Sequence, residues 1–260
     1  MTLSNKTALV TGASSGIGAA YADQLASRGY HLILVARREE RLQQLALELK
    51  QKYAKNVEVI VADLASPVEL EWICNCIRDV DQLDMLVNCA GLGALGTSQQ
   101  VNPQSVVQML LVNVIALTQL SLAAAKRFSQ QQSGNIINIG SILAAMPVAG
   151  AGAYSGSKAY VLNFSKALQA EFKTSSVKVQ VIMPGPVKTE FFTHTPAPFP
   201  ESLFMQPETL VETALIALDQ GEDVIFPNLE DMSLWEKYEI SRGILVKGLT
   251  QSNAIPSRYL

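Results

Sequence analysis

The sequence predicts an α/β protein built as one doubly wound parallel sheet of about seven strands, with helices on both faces. Three observations predict it. Short runs rich in Val and Ile alternate along the whole chain with segments of helical periodicity. The runs are apolar on both faces, as strands covered on two sides must be. A glycine-rich turn joins the first run to the first helical segment, where a sheet of this class presents a ligand.

The strand candidates are TALV (7–10), HLILVA (31–36), VEVIVA (57–62), DMLVN (84–88), NIINIG (135–140), VKVQVIM (177–183) and DVIF (223–226). Between them lie GIGAAYADQLASRG, EERLQQLALELKQKYA, PVELEWICNCIRDV, a long stretch from about 103 to 132, and YSGSKAYVLNFSKALQAEFK. Each carries apolar residues at three- and four-residue spacing with few breakers inside. The rhythm breaks only at the proline-rich THTPAPFPESLF (193–204). A long loop directly after the sixth strand reads as a substrate lid, about 190–206. SLWEKYEISRGILVKGL (233–249) is amphipathic, and the region from about 231 to 260 reads as a helical tail that packs, oligomerises or touches a membrane surface. No linker or repeat interrupts the pattern, so residues 1–260 are expected to form one domain.

Composition narrows the function. A formal net charge of −3 argues against a nucleic-acid partner, which needs a basic surface. Cys74, Cys76 and Cys89 suggest no disulfide framework, and Cys74 and Cys76 read as small buried helix residues. His31 and His194 sit in no ligand-spaced cluster, so no metal site is expected. The N-terminus lacks a secretory pattern. The most apolar region, about 105–125, is interrupted by Gln108, Asn113, Thr118 and Gln119, which disqualifies it as an integral membrane segment. A cytoplasmic protein is the expectation.

Thr11-Gly12-Ala13-Ser14-Ser15-Gly16-Ile17-Gly18 follows the first strand and opens the first helix, a context that lifts the glycine pattern above chance. Gly12 can take the tight turn, Gly16 admits a close backbone approach, and Gly18 lets helix and sheet touch. The free N–H groups at such a helix start favour a pyrophosphate, although an ordinary strand–helix turn also likes glycine.

Tyr154 and Lys158 are one helical turn apart and share a face. A tyrosine near its usual pKa of about 10 is a poor proton donor and acceptor at neutral pH, and a neighbouring ammonium favours the phenolate. The pair alone could equally be a surface tyrosine beside a solvated lysine. Ser141, at the end of the fifth strand, adds a hydroxyl able to hold a substrate oxygen. Ser155 and Ser157 read as helix-surface residues. Asn113, polar within VVQMLLVNVIALTQL, reads by itself as a satisfied core amide.

Taken together these residues resemble the short-chain dehydrogenase/reductase family, in its short one-domain, Rossmann-like branch. The glycine spacing G-x-x-x-G-x-G, Asn88-Cys89-Ala90-Gly91 after the fourth strand, Ser141 and Tyr154-x-x-x-Lys158 all match its motifs, over about residues 6–190. Pro184-Gly185, with Val187 and Thr189, is similar to the family's turn over the nicotinamide, and Asp63-Leu64 to its adenine-contacting pair. The resemblance implies a catalytic set of Asn113, Ser141, Tyr154 and Lys158, with Asn113 kinking or hydrating its helix to hold a water against Lys158. It implies that Lys158 also binds the nicotinamide ribose. It implies cofactor contacts at Gly12, Ser14, Ser15, Gly16, Ile17, Gly18, Asn88, Ala90 and Gly91 as well. Helices at about 105–130 and 154–173 resemble those through which family members form homodimers and homotetramers.

An acid at Ala36 would grip the two ribose hydroxyls of NAD. Alanine cannot, whereas Arg37 immediately after it can match a 2′-phosphate bidentately, so NADP is the expected cofactor. Arg38 reads as a helix charge partnered by Glu39 and Glu40. Phe191, Phe192, Phe199, Leu203, Phe204 and Met205 suggest an apolar pocket for a small-molecule ketone or aldehyde and its alcohol. Two other readings compete: a non-catalytic NADP-binding sensor or scaffold of the same fold, and an epimerase or dehydratase, which would usually need a longer chain.

Overall fold

The computed structural model describes residues 6–192, 200–251 and 253–260, with nothing said of the Phe192 side chain. Seven strands form one sheet, all parallel, in the order β3-β2-β1-β4-β5-β6-β7. They are β1 (Thr7–Thr11), β2 (His31–Ala36), β3 (Val57–Val61), β4 (Met85–Asn88), β5 (Gly134–Ile139), β6 (Val177–Ile182) and β7 (Val224–Ile225). The direction of travel reverses between β1 and β4. In open α/β sheets that switch point, at the carboxyl ends of the strands, is where ligands bind.

Most of the inner strands bury both faces, which is why their sequences are continuous hydrophobic runs: Leu9, Val10, Val35, Leu86, Val87, Ile136 and Ile137 are all fully or almost fully covered. The helices cover them by helical periodicity. In α2 (Glu39–Tyr53), Leu42, Ala46 and Leu49 are buried while the charged residues face out. In α3 (Pro67–Asp79), Pro67 at the first position and Ser66, accepting from Glu69 N–H, set the start, and Cys74 lies on the buried face. Helix α1 (Gly16–Ser27) and α7 (Pro207–Gln220) pack on one face of the sheet with α2.

The apolar run at 103–131 is long and hydrophobic enough to cross a membrane by length and composition. Here its inner face belongs to the core: Ala116, Leu120, Ala124 and Phe128 pack against β5 and α3. It is also uneven. Between α4 (Pro103–Leu110) and α5 (Leu117–Gln131) the turn Leu111–Ala116 widens to π-helical hydrogen bonding, with Asn113 at its centre. Such widened turns often sit at functional sites. The helix α6 (Gly152–Glu171) carries Tyr154 and Lys158.

The chain divides into two compact units, Met1–Pro227 and Asn228–Leu260. The second holds α8 (Ser233–Leu249), in which Trp235 stacks on Tyr238 at 5.3 Å and none of the side chains is buried.

Candidate active site

The site is assembled from strand ends. Thr11, the last residue of β1, accepts hydrogen bonds from the Cys89 and Ala90 N–H groups at 3.1 Å through its hydroxyl, which donates to the Val87 carbonyl. This pins the Asn88–Gly91 turn beside the glycine turn. The fit is steric as well: a Cβ on Gly12 would stand 2.8 Å from Ala90 Cα, and one on Gly18 only 2.3 Å from the Gly12 carbonyl oxygen. Gly12 and Gly16 have φ of 68° and 54°, the left-handed region that glycine enters without strain. Ser15 occupies the N-cap of α1 without giving its hydroxyl to the helix. The turn therefore presents backbone, two serine hydroxyls and a helix start, a donor set suited to a pyrophosphate. Ile17 and Leu64 face the core, and the Asp63 carboxylate accepts from Ala65 N–H in its own turn.

Asn88 is placed differently from the expectation. Its side chain turns inward and donates to Ser121 Oγ and Asn138 Oδ1, both at 2.9 Å, and Asn138 in turn donates to Ser165 Oγ. This buried chain ties β4 to β5, α5 and α6. An amide committed there supports the sheet beneath the site, and its neighbours Ala90 and Gly91 form the surface above.

Arg38 also departs from the sequence reading. Its partners are not Glu39 or Glu40. The guanidinium donates to Ser14 Oγ at 2.9–3.0 Å, to Ser15 Oγ at 2.5 Å and to Glu190 at 2.6 Å. Arg38 precedes the first turn of α2 as its N-cap residue, and from there its side chain swings over the glycine turn. Sequence periodicity could not show this, because both serines lie more than 20 residues away. Arg41 donates to the other oxygen of Glu190 at 2.6 Å. Arg37 is exposed and makes no side-chain hydrogen bond or ion pair among the described residues.

At the other end of the edge, Tyr154 and Lys158 both lie within the protein. Burial pushes the tyrosine up to about 12, and the Ser141 hydroxyl, hydrogen-bonding to it, pulls it part of the way back. Burial also pulls Lys158 down to about 8, against the influence of Cys89. The ammonium nitrogen stands 5.7 Å from the Tyr154 ring centre and donates to the Ile139 carbonyl at 2.7 Å. The group that opposes the rise of the tyrosine is thus Ser141 and not the lysine, while desolvation acts on both Tyr154 and Lys158 in the same low-dielectric pocket.

Asn113 makes a two-point contact with Leu92: its Oδ1 accepts from the N–H at 2.9 Å and its Nδ2 donates to the carbonyl at 3.0 Å. Nδ2 also reaches Ser157 Oγ at 3.3 Å, and that hydroxyl donates to the Tyr154 carbonyl. Ser155 and Ser157 are buried, contrary to the surface reading, because α6 is covered along two stripes by the π-helical turn and by β5 and β6. Ser157 is the residue the sequence reasoning passed over. Its spacing of three from Tyr154 was the available signal.

Beyond β6, the Ile142 N–H donates to the Pro184 carbonyl, joining the Ser141 loop to Pro184-Gly185. Val187 pairs with Met205, and Lys188 is engaged by Glu201 at 3.3 Å. Thr189 packs on Gly16, where a Cβ would come within 2.9 Å of its methyl. Phe191 lies against Tyr154 with ring centres 5.5 Å apart, and its ring tip fills the space beside Gly93 that a Cβ would take. Leu203 is exposed, and Phe204 and Met205 are half-buried. Phe199 and His194 lie outside the described residues.

Residues 6–198 match the family model for short chain dehydrogenases. An NADP-dependent 3-hydroxy acid dehydrogenase from Schizosaccharomyces pombe is 31% identical over 235 residues, covering 86% of this chain and 90% of that one. Among solved structures, a short-chain dehydrogenase from Sphingobium yanoikuyae in complex with NADPH superposes with a TM-score of 0.93 at 36% identity, over 98% of this chain and all of that one. A bulky-bulky ketone specific alcohol dehydrogenase from Comamonas testosteroni follows at 0.89 and 37%, over 98% of each chain.

Proposed function

The chain belongs to the short-chain dehydrogenase family and is an oxidoreductase that interconverts a carbonyl and an alcohol with NADP(H); we propose that Tyr154 is its acid–base group and that the substrate is an apolar ketone or aldehyde. The observation that carries the residue assignment is the meeting of half-buried Tyr154 with the buried Ser141 and Lys158 at the carboxyl edge of the sheet. Bound along that edge, the nicotinamide dinucleotide supplies or accepts the hydride.

The rest of the chemistry belongs to the chain. Ser141 donates a hydrogen bond to the substrate oxygen and stabilises the charge that develops there. Tyr154 gives that oxygen its proton in reduction and takes it back in oxidation. Lys158, titrating near 8, is mostly charged at neutral pH; it favours the phenolate and is placed to hold a ribose hydroxyl. Asn113, through Leu92 and Ser157, fixes the backbone against which α6 seats the pair. The glycine turn and Ser14 and Ser15 take the pyrophosphate, and Arg37, Arg38 and Arg41 form the arginine group that takes the 2′-phosphate. Phe191, lying on Tyr154, and Ile142 and Leu203, both exposed, give the substrate apolar surroundings, the basis for an apolar substrate.

Val107, Leu110, Ile115 and Leu122 on α4–α5 and Tyr160 on α6 are large apolar residues left exposed. They support assembly as a homodimer or homotetramer, which sedimentation would read directly.

The test of function is a panel of ketones, aldehydes and secondary alcohols with NADP(H). Turnover by the parent and none by Tyr154→Phe, with NADPH binding kept in both, is the expected result. Turnover retained without the phenol would remove Tyr154 from the mechanism.

A further inference from the structure

We infer that Glu190 determines cofactor selectivity by competing, within the chain, for the arginines that take a 2′-phosphate. This rests on the NADP(H) reading above. The Glu190 carboxylate bridges Arg38 and Arg41, one oxygen to each guanidinium at 2.6 Å. The same Arg38 is fastened to Ser14 and Ser15 in the glycine turn by its remaining N–H groups. Carboxylate and phosphate oxygens are equivalent partners for a guanidinium fork, so Glu190 occupies donors that a phosphate monoester would take.

The fold delivers this carboxylate to the arginines. The segment before it is anchored by the Val187–Met205 pairing, and Thr189 rests on Gly16. The two arginines hold the Glu190 carboxyl below the usual carboxylate range, so it is ionised throughout the neutral range.

The contact is also built to be displaced. All three side chains are about half exposed, which screens the ion pairs and keeps them weak. Beside the turn lies an open cleft of about 730 Å³, bordered by Ser15, Asp23, Lys52, Lys188, Glu190 and Glu208, so a displaced Glu190 side chain has room to turn toward solvent. A dianionic phosphate can outcompete a singly charged carboxylate for two guanidinium groups. A ribose hydroxyl cannot, so a dinucleotide lacking the phosphate leaves Glu190 in place. Glu190 therefore lowers the affinity for NADPH by a fixed factor and leaves NADH largely untouched.

The experiment is fluorescence titration of the full-length parent and Glu190→Gln with NADPH and with NADH, alongside their thermal midpoints as a check of folding. Glu190→Gln should bind NADPH about three- to tenfold more tightly, as expected for losing a weak competing ion pair, with NADH changed less than about twofold. On an Arg38→Ala, Arg41→Ala background the same substitution should have no effect on NADPH. Unchanged or weaker NADPH binding in Glu190→Gln, with the parent binding NADPH normally, would overturn the competition alone and make Glu190 a brace for the turn. Equal tightening of both dinucleotides would overturn the selectivity. Failure of parent and variant to bind either dinucleotide would overturn the NADP(H) reading, and the competition with it.

Discussion

The two ends of the ligand edge handle charge in opposite ways. At the glycine turn, Arg38, Arg41 and Glu190 are half in solvent, meet at 2.6 Å and can exchange partners at little cost. At the reacting end, Lys158 is buried and Tyr154 half-buried, and desolvation moves them in opposite directions, the phenol up and the ammonium down. The exposed end can tune which dinucleotide is accepted without disturbing the fold. The buried end obtains its chemistry by holding a charge where the protein would be more stable without one.

That contrast ranks the expected effects. Tyr154→Phe should cost about 10²–10⁴-fold in turnover, the range for losing a positioned acid–base group, while the NADPH dissociation constant stays within about twofold. A loss below tenfold in steady-state rates would place the proton elsewhere.

Asn113→Ala removes three hydrogen bonds at the π-helical turn. It should lower stability by about 2–3 kcal/mol in urea denaturation. A loss under about 0.5 kcal/mol would mean that solvent replaces those bonds, and that the turn does not depend on them.

Lys158→Met should abolish activity yet stabilise the chain by about 1–2 kcal/mol at pH 7, after allowing for the lost bond to Ile139. The sign follows from titration: Lys158 is depressed to about 8 when folded against 10.5 when unfolded. Below 8 both states carry the proton and the folded state bears the full cost. Between 8 and 10.5 the folded state is already neutral, so the parent's disadvantage relative to the variant shrinks as pH rises. Cys89, pushed up to about 12 by burial against the influence of Lys158, acts the other way above pH 9 and is coupled to the lysine, so the difference is read below pH 9. A parent–variant gap independent of pH from 7 to 9 would break the account of a costly buried lysine.

The smallest effect belongs to the exposed end. Arg38→Ala should weaken NADPH binding roughly tenfold and NADH binding hardly at all. If Arg37→Ala gives the larger loss, the arginine at the strand end is the principal phosphate contact and Arg38 chiefly orders Ser14 and Ser15.

Particular residues show where sequence reasoning was sufficient. The strands were legible because most of the inner ones are buried on two sides and so are written as nearly continuous apolar runs, broken at the edges by residues such as Glu58 and Lys178. Gly12, Gly16 and Gly18 were legible because a left-handed backbone or a carbonyl 2.3 Å from a would-be Cβ leaves no alternative to glycine. Tyr154 and Lys158 were legible because four residues make one helical turn. Ser157 was not, since an isolated serine on an amphipathic helix has no pattern until the helix opposite it is placed.

The sequence by itself determined the sheet, the glycine turn and the type of chemistry, because periodicity and short spacings are local and survive without coordinates. Only the tertiary structure decided how those groups behave. Arg38 leaves its own helix for a turn 24 residues back and for Glu190, 152 residues on. Lys158 lies where burial lowers it, and Tyr154 is raised by burial with Ser141 pulling against the rise. Partnership across such distances and the loss of water around a charge depend on packing between elements, which no local pattern encodes.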